Sequence, residues 1–225
     1  MPEIPTTIKQ VALGDQVADE LRRMIITGRY APGDSLVEGH LAERFDLSRG
    51  PIRDALKTLA AEGLIDTNRR SATVVGLSAA DIDELFSLRE AMETLALRIA
   101  LDTDRPRLAA ELEQTLKAMR TAARTRDAES YTAADLRFHS VFYSTAGHRR
   151  LADVWAQYRP TIEMLLLASN ERYDDLGPSV AAHELLARLV ATGEPDAVAA
   201  ELHAHLDNAR LRLREPFARR TADPG

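Results

Sequence analysis

From Ser78 to Leu213 the chain repeats one pattern: apolar residues return every three or four positions, with no alternating apolar-polar stretch. Segments with that period bury their apolar faces by packing helix on helix, so this part is expected to be an all-helical bundle. Ile82, Leu85, Leu88, Met92, Leu95 and Ile99 set the first inward stripe. Breaks fall at Asp104-Arg105-Pro106, Ala146-Gly147, Gly177-Pro178 and Gly193-Glu194-Pro195. They divide the rest into helices near 106–125, 128–145, 148–170, 178–192 and 195–214, giving six helices in all. Pro160 lies inside one of these and predicts a kink. Ser78-Ala79-Ala80-Asp81 opens the bundle with a capping residue and an acid in the first turn.

The preceding part has a different rhythm. Val17, Leu21, Met24 and Ile25 give a helix from about Asp15, ended by Gly28 and Pro32-Gly33. A second helix spans Glu38 to Phe45, with Leu41, Ala42 and Phe45 inward. A third runs from about Arg49 to Glu62, with Ile52, Leu56 and Leu59 inward. Ser48 is its N-cap, Pro51 falls in the first turn, and Gly63 stops it. Two β-like runs follow, Leu64-Ile65-Asp66 and Ala72-Thr73-Val74-Val75, around a polar turn. Three helices and a hairpin make a winged helix-turn-helix. The chain is therefore expected to be mostly α, with a winged helix-turn-helix at 8–76, a helical bundle at 78–214 and a boundary near Gly76–Leu77.

Charge is informative only by segment. The net charge is −6, yet Ile8 to Val75 holds ten basic and ten acidic residues and is neutral. A neutral segment still presents a basic face if its arginines cluster. The chain has no cysteine, which excludes disulfides and thiolate metal sites and fits a reducing compartment. No apolar run reaches the roughly 20 residues of a membrane span, and no secretion signal opens the sequence, so the expectation is a cytoplasmic protein without a membrane partner.

In LAERFDLSRGPIRDALKTLAAEGLI, Arg49 and Arg53 stand one helical turn apart on one face, near the helix start. Arginine placed there can grip guanine O6 and N7 or a phosphate, and Ser48 with the first backbone N–H groups suits phosphate. The alternative leaves both arginines as solvated charges, with Arg53 paired to Asp54 or near Glu43. The segment Asp15–Gly76 resembles the GntR family of bacterial regulators, through Gly28, Pro32, Gly33 and Leu36 and through Ser48, Arg49, Pro51, Arg53, Ala55 and Leu56. That resemblance implies operator contacts by Arg49 and Arg53 in double-stranded DNA. Gly50, counted in the same set, stands where many members carry threonine. Ser71 stands where many carry a wing glycine, and Arg69 and Arg70 offer a substitute wing contact.

Five of the six histidines lie in the bundle. Asp135 and His139 share a helix face at a spacing that lets both reach one metal ion. His183 lies on the stripe of Leu186 and Val190, and His205 on that of Val198, Leu202, Ala209 and Leu213. His203 is expected toward solvent and His148 at a helix start. Three imidazoles and a carboxylate converging inside a bundle would bind a divalent ion, zinc first, with nickel or manganese as alternatives. Separate, satisfied core histidines are the competing reading. The second part resembles the FCD domain of the FadR subfamily, through Leu88-Arg89-Glu90-Ala91-Met92-Glu93, Asp135-x-x-x-His139, Ala182-His183-Glu184 and His205-Leu206. The resemblance implies that Asp135, His139, His183 and His205 hold the ion. Arg89, Arg137 and Arg172 are cations that could hold an effector carboxylate or serve as ordinary structural arginines. The expectation is a homodimeric transcriptional regulator, a repressor among the candidate roles, whose operator affinity a small organic acid controls. The rival is a metal-dependent hydrolase, for which no general base stands out.

Overall fold

The structure, a computed structural model, describes residues 13–67 and 71–222, which fall into two compact units meeting at Gly76–Leu77. The first unit contains α1 (Leu13–Ile26), β1 (Ser35–Leu36), α2 (Glu38–Phe45), α3 (Arg49–Ala61), β2 (Ile65–Asp66) and β3 (Ala72–Val74). α1 and α2 both pack on α3, and their shared core is Leu21, Leu36, Leu41, Ile52 and Leu59. Gly14 allows the close approach of α1 to α3: a Cβ there would meet the Asp54 Cβ at 3.3 Å and the Pro51 carbonyl at 3.4 Å. Between α2 and α3, Asp46 turns the chain in the left-handed region (φ 51°), and the Leu47 N–H returns to the Ala42 carbonyl. Aspartate is among the residues that tolerate this region.

One element of this unit was not expected. β1 pairs antiparallel with β3, which also pairs with β2, so the wing is a three-stranded sheet in the order β1-β3-β2. A two-residue strand is too short to show a period, so only its partner reveals it. Ala42 and Phe45, expected inward, are only partly covered.

The second unit is the expected bundle: α4 (Ala79–Thr125), α5 (Ala128–Ala146), α6 (Arg149–Asn170), α7 (Gly177–Thr192) and α8 (Pro195–Ala222). Asp104 interrupts α4 with extended dihedrals (φ −158°, ψ 76°) and accepts the Arg107 N–H, so the unit holds six helical segments. Ser78 and Asp81 form a reciprocal capping box at the start of α4. α5 is capped by Asp127, and α6 by His148, whose Nδ1 accepts the Leu151 N–H. α4 packs on α5, α7 and α8, and α5 on α6. α6 includes Pro160, and α8 runs beyond the expected 214.

The inward face of α4 differs from the expected stripe. Leu88 and Leu95 are 38% and 47% exposed, whereas Ile82, Phe86, Arg89, Met92, Glu93, Ala96, Leu97 and Ala100 are buried. α4 is covered by α5, α7 and α8, and the buried face carries Ala96 and Ala100 beside Phe86 and Met92. The leucine-rich stripe is therefore rotated away from the core, and a charged pair is rotated into it.

Candidate nucleic-acid interface and metal centre

The N-terminal end of α3 is open to solvent. Ser48 occupies the N-cap position with extended dihedrals, but its hydroxyl makes no capping bond and is left for another partner. Gly50 is exposed, and a Cβ there would come no nearer than 3.9 Å to the Ser48 Oγ. Arg49 and Arg53 are exposed. Arg53 is held by the first residue of α2: its Nε and Nη2 donate to the two Glu38 carboxylate oxygens at 3.3 and 3.1 Å. The partner is thus Glu38, not Asp54 or a group near Glu43. Asp54 instead receives Lys57 at 3.2 Å. Ser35 and Ser71 hydroxyls join at 2.7 Å and fix the base of the wing. Arg69 and Arg70, expected at the wing tip, lie outside the described residues.

This face rests on a buried staple. Arg22 donates through Nε and Nη2 to both Glu62 oxygens at 2.7 and 2.5 Å, and both side chains are 2% exposed. The bond ties α1 to the end of α3, so a change there would disturb the angle at which α3 is presented.

In the bundle, Asp135, His139, His183 and His205 come together as expected. Ring nitrogens of the three histidines lie within 4.8 Å of one another. His139 and His183 are each 1% exposed, and His205, a little more open as a whole residue, has its ring enclosed in the cluster. The Asp135 carboxylate joins the cluster, with Oδ2 at 3.4 Å from His183 Nε2 and Oδ1 at 3.8 Å from His139 Nε2. His203 is instead exposed, bonded to Glu90 at 2.7 Å.

The tautomers follow from the outer hydrogen bonds. His183 Nδ1 donates to the Ser179 carbonyl at 2.8 Å, and His139 Nδ1 donates to Glu93 Oε2 at 2.7 Å. With Nδ1 carrying the proton that is donated outward, the neutral His183 ring has its lone pair on Nε2, and the His139 ring turns the corresponding Nε2 edge to the cluster. Both Nε2 atoms are buried without a hydrogen-bond partner, and both face Asp135. Burial, with His139 adding to it, pushes the His183 pKa down to about 4 despite Asp135. Burial and the neighbouring imidazoles likewise hold His205 well below its ordinary value. The Nε2 atoms of His139 and His183 thus converge on the Asp135 carboxylate without a hydrogen bond to satisfy them. Buried acceptors facing acceptors are costly, and a cation relieves them. The donor set, imidazole nitrogen and carboxylate oxygen, fits a divalent transition-metal ion.

Two charged residues behind the ligands were not singled out from the sequence for this role. Glu93 is fully buried and accepts His139 through one oxygen and Arg89 Nε, at 2.6 Å, through the other. Burial acts to raise its pKa, but the Arg89 and His139 charges and hydrogen bonds outweigh burial and bring it to about 2. Arg89 is 1% exposed, lies over the rings of Phe86 and Trp155, and keeps a buried Nη2 without a partner. Its i,i+4 spacing to Glu93 was visible in Leu88-Arg89-Glu90-Ala91-Met92-Glu93, but only the burial of that face gives it meaning. Arg137 and Arg172 are exposed.

Comparison with known proteins agrees with this architecture. Residues 13–75 match the family described as bacterial regulatory proteins, gntR family, and residues 84–208 match the FCD domain. A gluconate operon transcriptional repressor of Bacillus licheniformis is 30% identical over 92% of this chain and 88% of its own length. Its counterpart in Bacillus subtilis is 28% identical over the same shares. Among solved structures, E. coli McbR/YncC superposes with a TM-score of 0.71 at 21% identity, covering 92% of this chain and 100% of that one. A GntR-type regulator from Rhodococcus gives a TM-score of 0.65 at 23% identity, covering 89% and 96%. The chain belongs to the GntR family of bacterial transcriptional regulators, in the branch that carries an FCD domain, and is a regulator rather than an enzyme.

Proposed function

We propose that this regulator senses a small organic acid in its second unit, residues 78–214, at a divalent metal ion held by Asp135, His139, His183 and His205. The observation that carries the proposal is the pair of buried, unpartnered Nε2 atoms turned toward one carboxylate. A bound ion would neutralise those lone pairs and offer coordination positions to a carboxylate. Zinc is the first candidate, with nickel or manganese as alternatives. The protein's own groups prepare the site: Ser179 and Glu93 fix the two rings, and Arg89 holds Glu93 ionised.

The first unit, residues 8–76, is proposed to read double-stranded operator DNA through Ser48, Arg49, Gly50 and Arg53, with Arg69 and Arg70 contributing from the wing. The exposure of Arg49 and Arg53 at the N-terminal end of α3 supports this. A homodimer would place two such helices in successive major grooves of a pseudo-palindromic site. A repressor role, in the cytoplasm, is the reading favoured by relatives named as operon repressors, including one for D-xylose utilization in Paenarthrobacter nicotinovorans. Among the described residues no helix is long and apolar enough to cross a membrane. An effector changes operator affinity only by binding the DNA-competent and DNA-incompetent states unequally.

The test is a thermal-shift screen of sugar acids, hydroxy acids and amino acids on zinc-loaded and chelator-treated protein, with gluconate placed first because of the Bacillus relatives' name. A metal-dependent rise in Tm for an acid, lost in His183→Ala while the fold persists, supports sensing. Global unfolding of His183→Ala would make the ion a structural staple. A chain that binds no metal on titration refutes the site.

A further inference from the structure

We infer that Glu38 is a specificity-determining residue, which keeps Arg53 from DNA until a partner with two well-placed acceptors replaces it. The inference rests on the reading of α3 as the DNA-contacting helix. Glu38 presents two oxygens to Nε and Nη2 of Arg53 at 3.3 and 3.1 Å. That is the same two-point arrangement through which a guanidinium takes the O6 and N7 of guanine, or a phosphate. DNA cannot use this edge of Arg53 without displacing the carboxylate.

The pair is unlike a structural bond. Its side chains are 59% and 37% exposed, against 2% for both members of the Arg22–Glu62 staple. An exposed pair adds little to stability and is cheap to exchange. Arg49, one turn earlier, makes no ion pair among the described residues and is available to any phosphate. Glu38 stays anionic at neutral pH, because the Arg53 hydrogen bond and the charges of Arg53, Arg49 and Lys57 hold its carboxyl below the ordinary range. On unmatched DNA the carboxylate stays on Arg53 and faces the phosphates, which it repels. On matched DNA the guanidinium changes partner, and the bases compensate. The penalty falls on every sequence and the gain on few, which widens the ratio of specific to non-specific binding.

The test uses the full-length chain and two duplexes of equal length: one that the wild type enriches from a random-sequence pool, and one of mixed sequence without that site. Fluorescence anisotropy across a salt series measures affinity for each. In Glu38→Gln the mixed duplex should bind about fivefold tighter. Its salt slope should steepen by about 0.9, the effect of one added phosphate contact. The enriched duplex should change by less than about twofold, so specificity falls. In an Arg53→Ala background, Glu38→Gln should leave the ratio of the two affinities unchanged. Equal weakening on both duplexes would mark Glu38 as a helix-start residue only and overturn the inference, as would an unchanged ratio and slope. If the wild type enriches no sequence, the DNA-contacting reading of α3 fails and this inference fails with it.

Discussion

Glu93 offers the sharpest perturbation of the bundle. Glu93→Gln keeps the side-chain shape but removes a buried charge bonded to Arg89 at 2.6 Å and to His139 at 2.7 Å. The structure sets the size of the effect. The pKa of Glu93 lies at about 2 against an ordinary 4.5, and at about 1.4 kcal/mol per pKa step the native state favours the charged form by about 3 kcal/mol. This agrees with the roughly 3–5 kcal/mol cost of removing one member of a buried ion pair, since Arg89 would remain buried and unpaired. Ring orientation would also loosen. Glutamine still reaches His139 Nδ1, but it no longer holds the proton there electrostatically, so metal affinity should fall by about 10- to 100-fold.

The assay is built into the fold. Trp155, the single tryptophan, is 4% exposed and stacks on Tyr143, so its fluorescence reports unfolding of the bundle. Urea titrations of metal-free wild type and Glu93→Gln at pH 7 should differ by about 3 kcal/mol. The pH dependence has a definite sign. A carboxyl with a depressed folded pKa adds stability that is complete above its unfolded value and lost as pH falls toward the folded one. The advantage of wild type should therefore be flat above pH 4.5 and shrink toward pH 2. A stability difference below about 0.5 kcal/mol at pH 7, or unaltered metal affinity, would refute the reasoning that Glu93 is an ionised prop for His139.

Further outcomes follow from the same geometry. His183 has a folded pKa of about 4 against 6.5, so the unfolded chain takes up its proton first, and metal-free stability should fall by about 3 kcal/mol from pH 6.5 to 4; chevron or urea data with Trp155 as probe would check it. Because that imidazole is already neutral at pH 7, calorimetry in buffers of different ionisation enthalpy should find almost no proton released from it on metal binding. Arg49→Ala should weaken binding to the enriched duplex by about 1–3 kcal/mol if the side chain reads bases, and should weaken all duplexes alike if it holds a phosphate. Arg22→Met removes the guanidinium that donates to both oxygens of buried Glu62 and should cost the first unit about 3 kcal/mol, seen as earlier loss of DNA binding on heating. If an acid lowers operator affinity by some factor, titration of the acid in the presence of operator should show its affinity reduced by the same factor, because the coupling is reciprocal.

The winged helix was legible because its signals are local. Each turn residue acts within a few positions: Gly63 with φ 77° after α3, Pro51 in the first turn of α3, and Gly33 with φ 95° in the turn after α1. The unread element, β1, has no local signal. Ser35 and Leu36 become a strand only because Thr73 and Ala72, almost forty positions on, present a free edge. For the same reason the sequence offers Arg53 several acidic neighbours, and only the packing of α2 on α3 selects Glu38, fifteen positions away.

The metal cluster divides along the same line. Asp135 and His139 are four apart, so helical geometry alone brings their side chains together, and His183 and His205 sit on plainly apolar stripes. Arg89 and Glu93 are also four apart, yet the leucine stripe of Leu88 and Leu95 draws the eye and makes the charged pair look solvent-facing. Hydrophobic periodicity favours the face with the largest side chains. α4 instead turns inward the face that carries Phe86, Met92, Ala96 and Ala100, and accepts the cost of two buried charges there. Glu93 is matched by Arg89 through one oxygen and by the His139 ring through the other, and the second contact joins residues 46 positions apart. A buried charge whose partner lies on another helix has no signature in either segment by itself. It becomes readable once the tautomer of His139 is followed outward from the ligand atom to the group that fixes it.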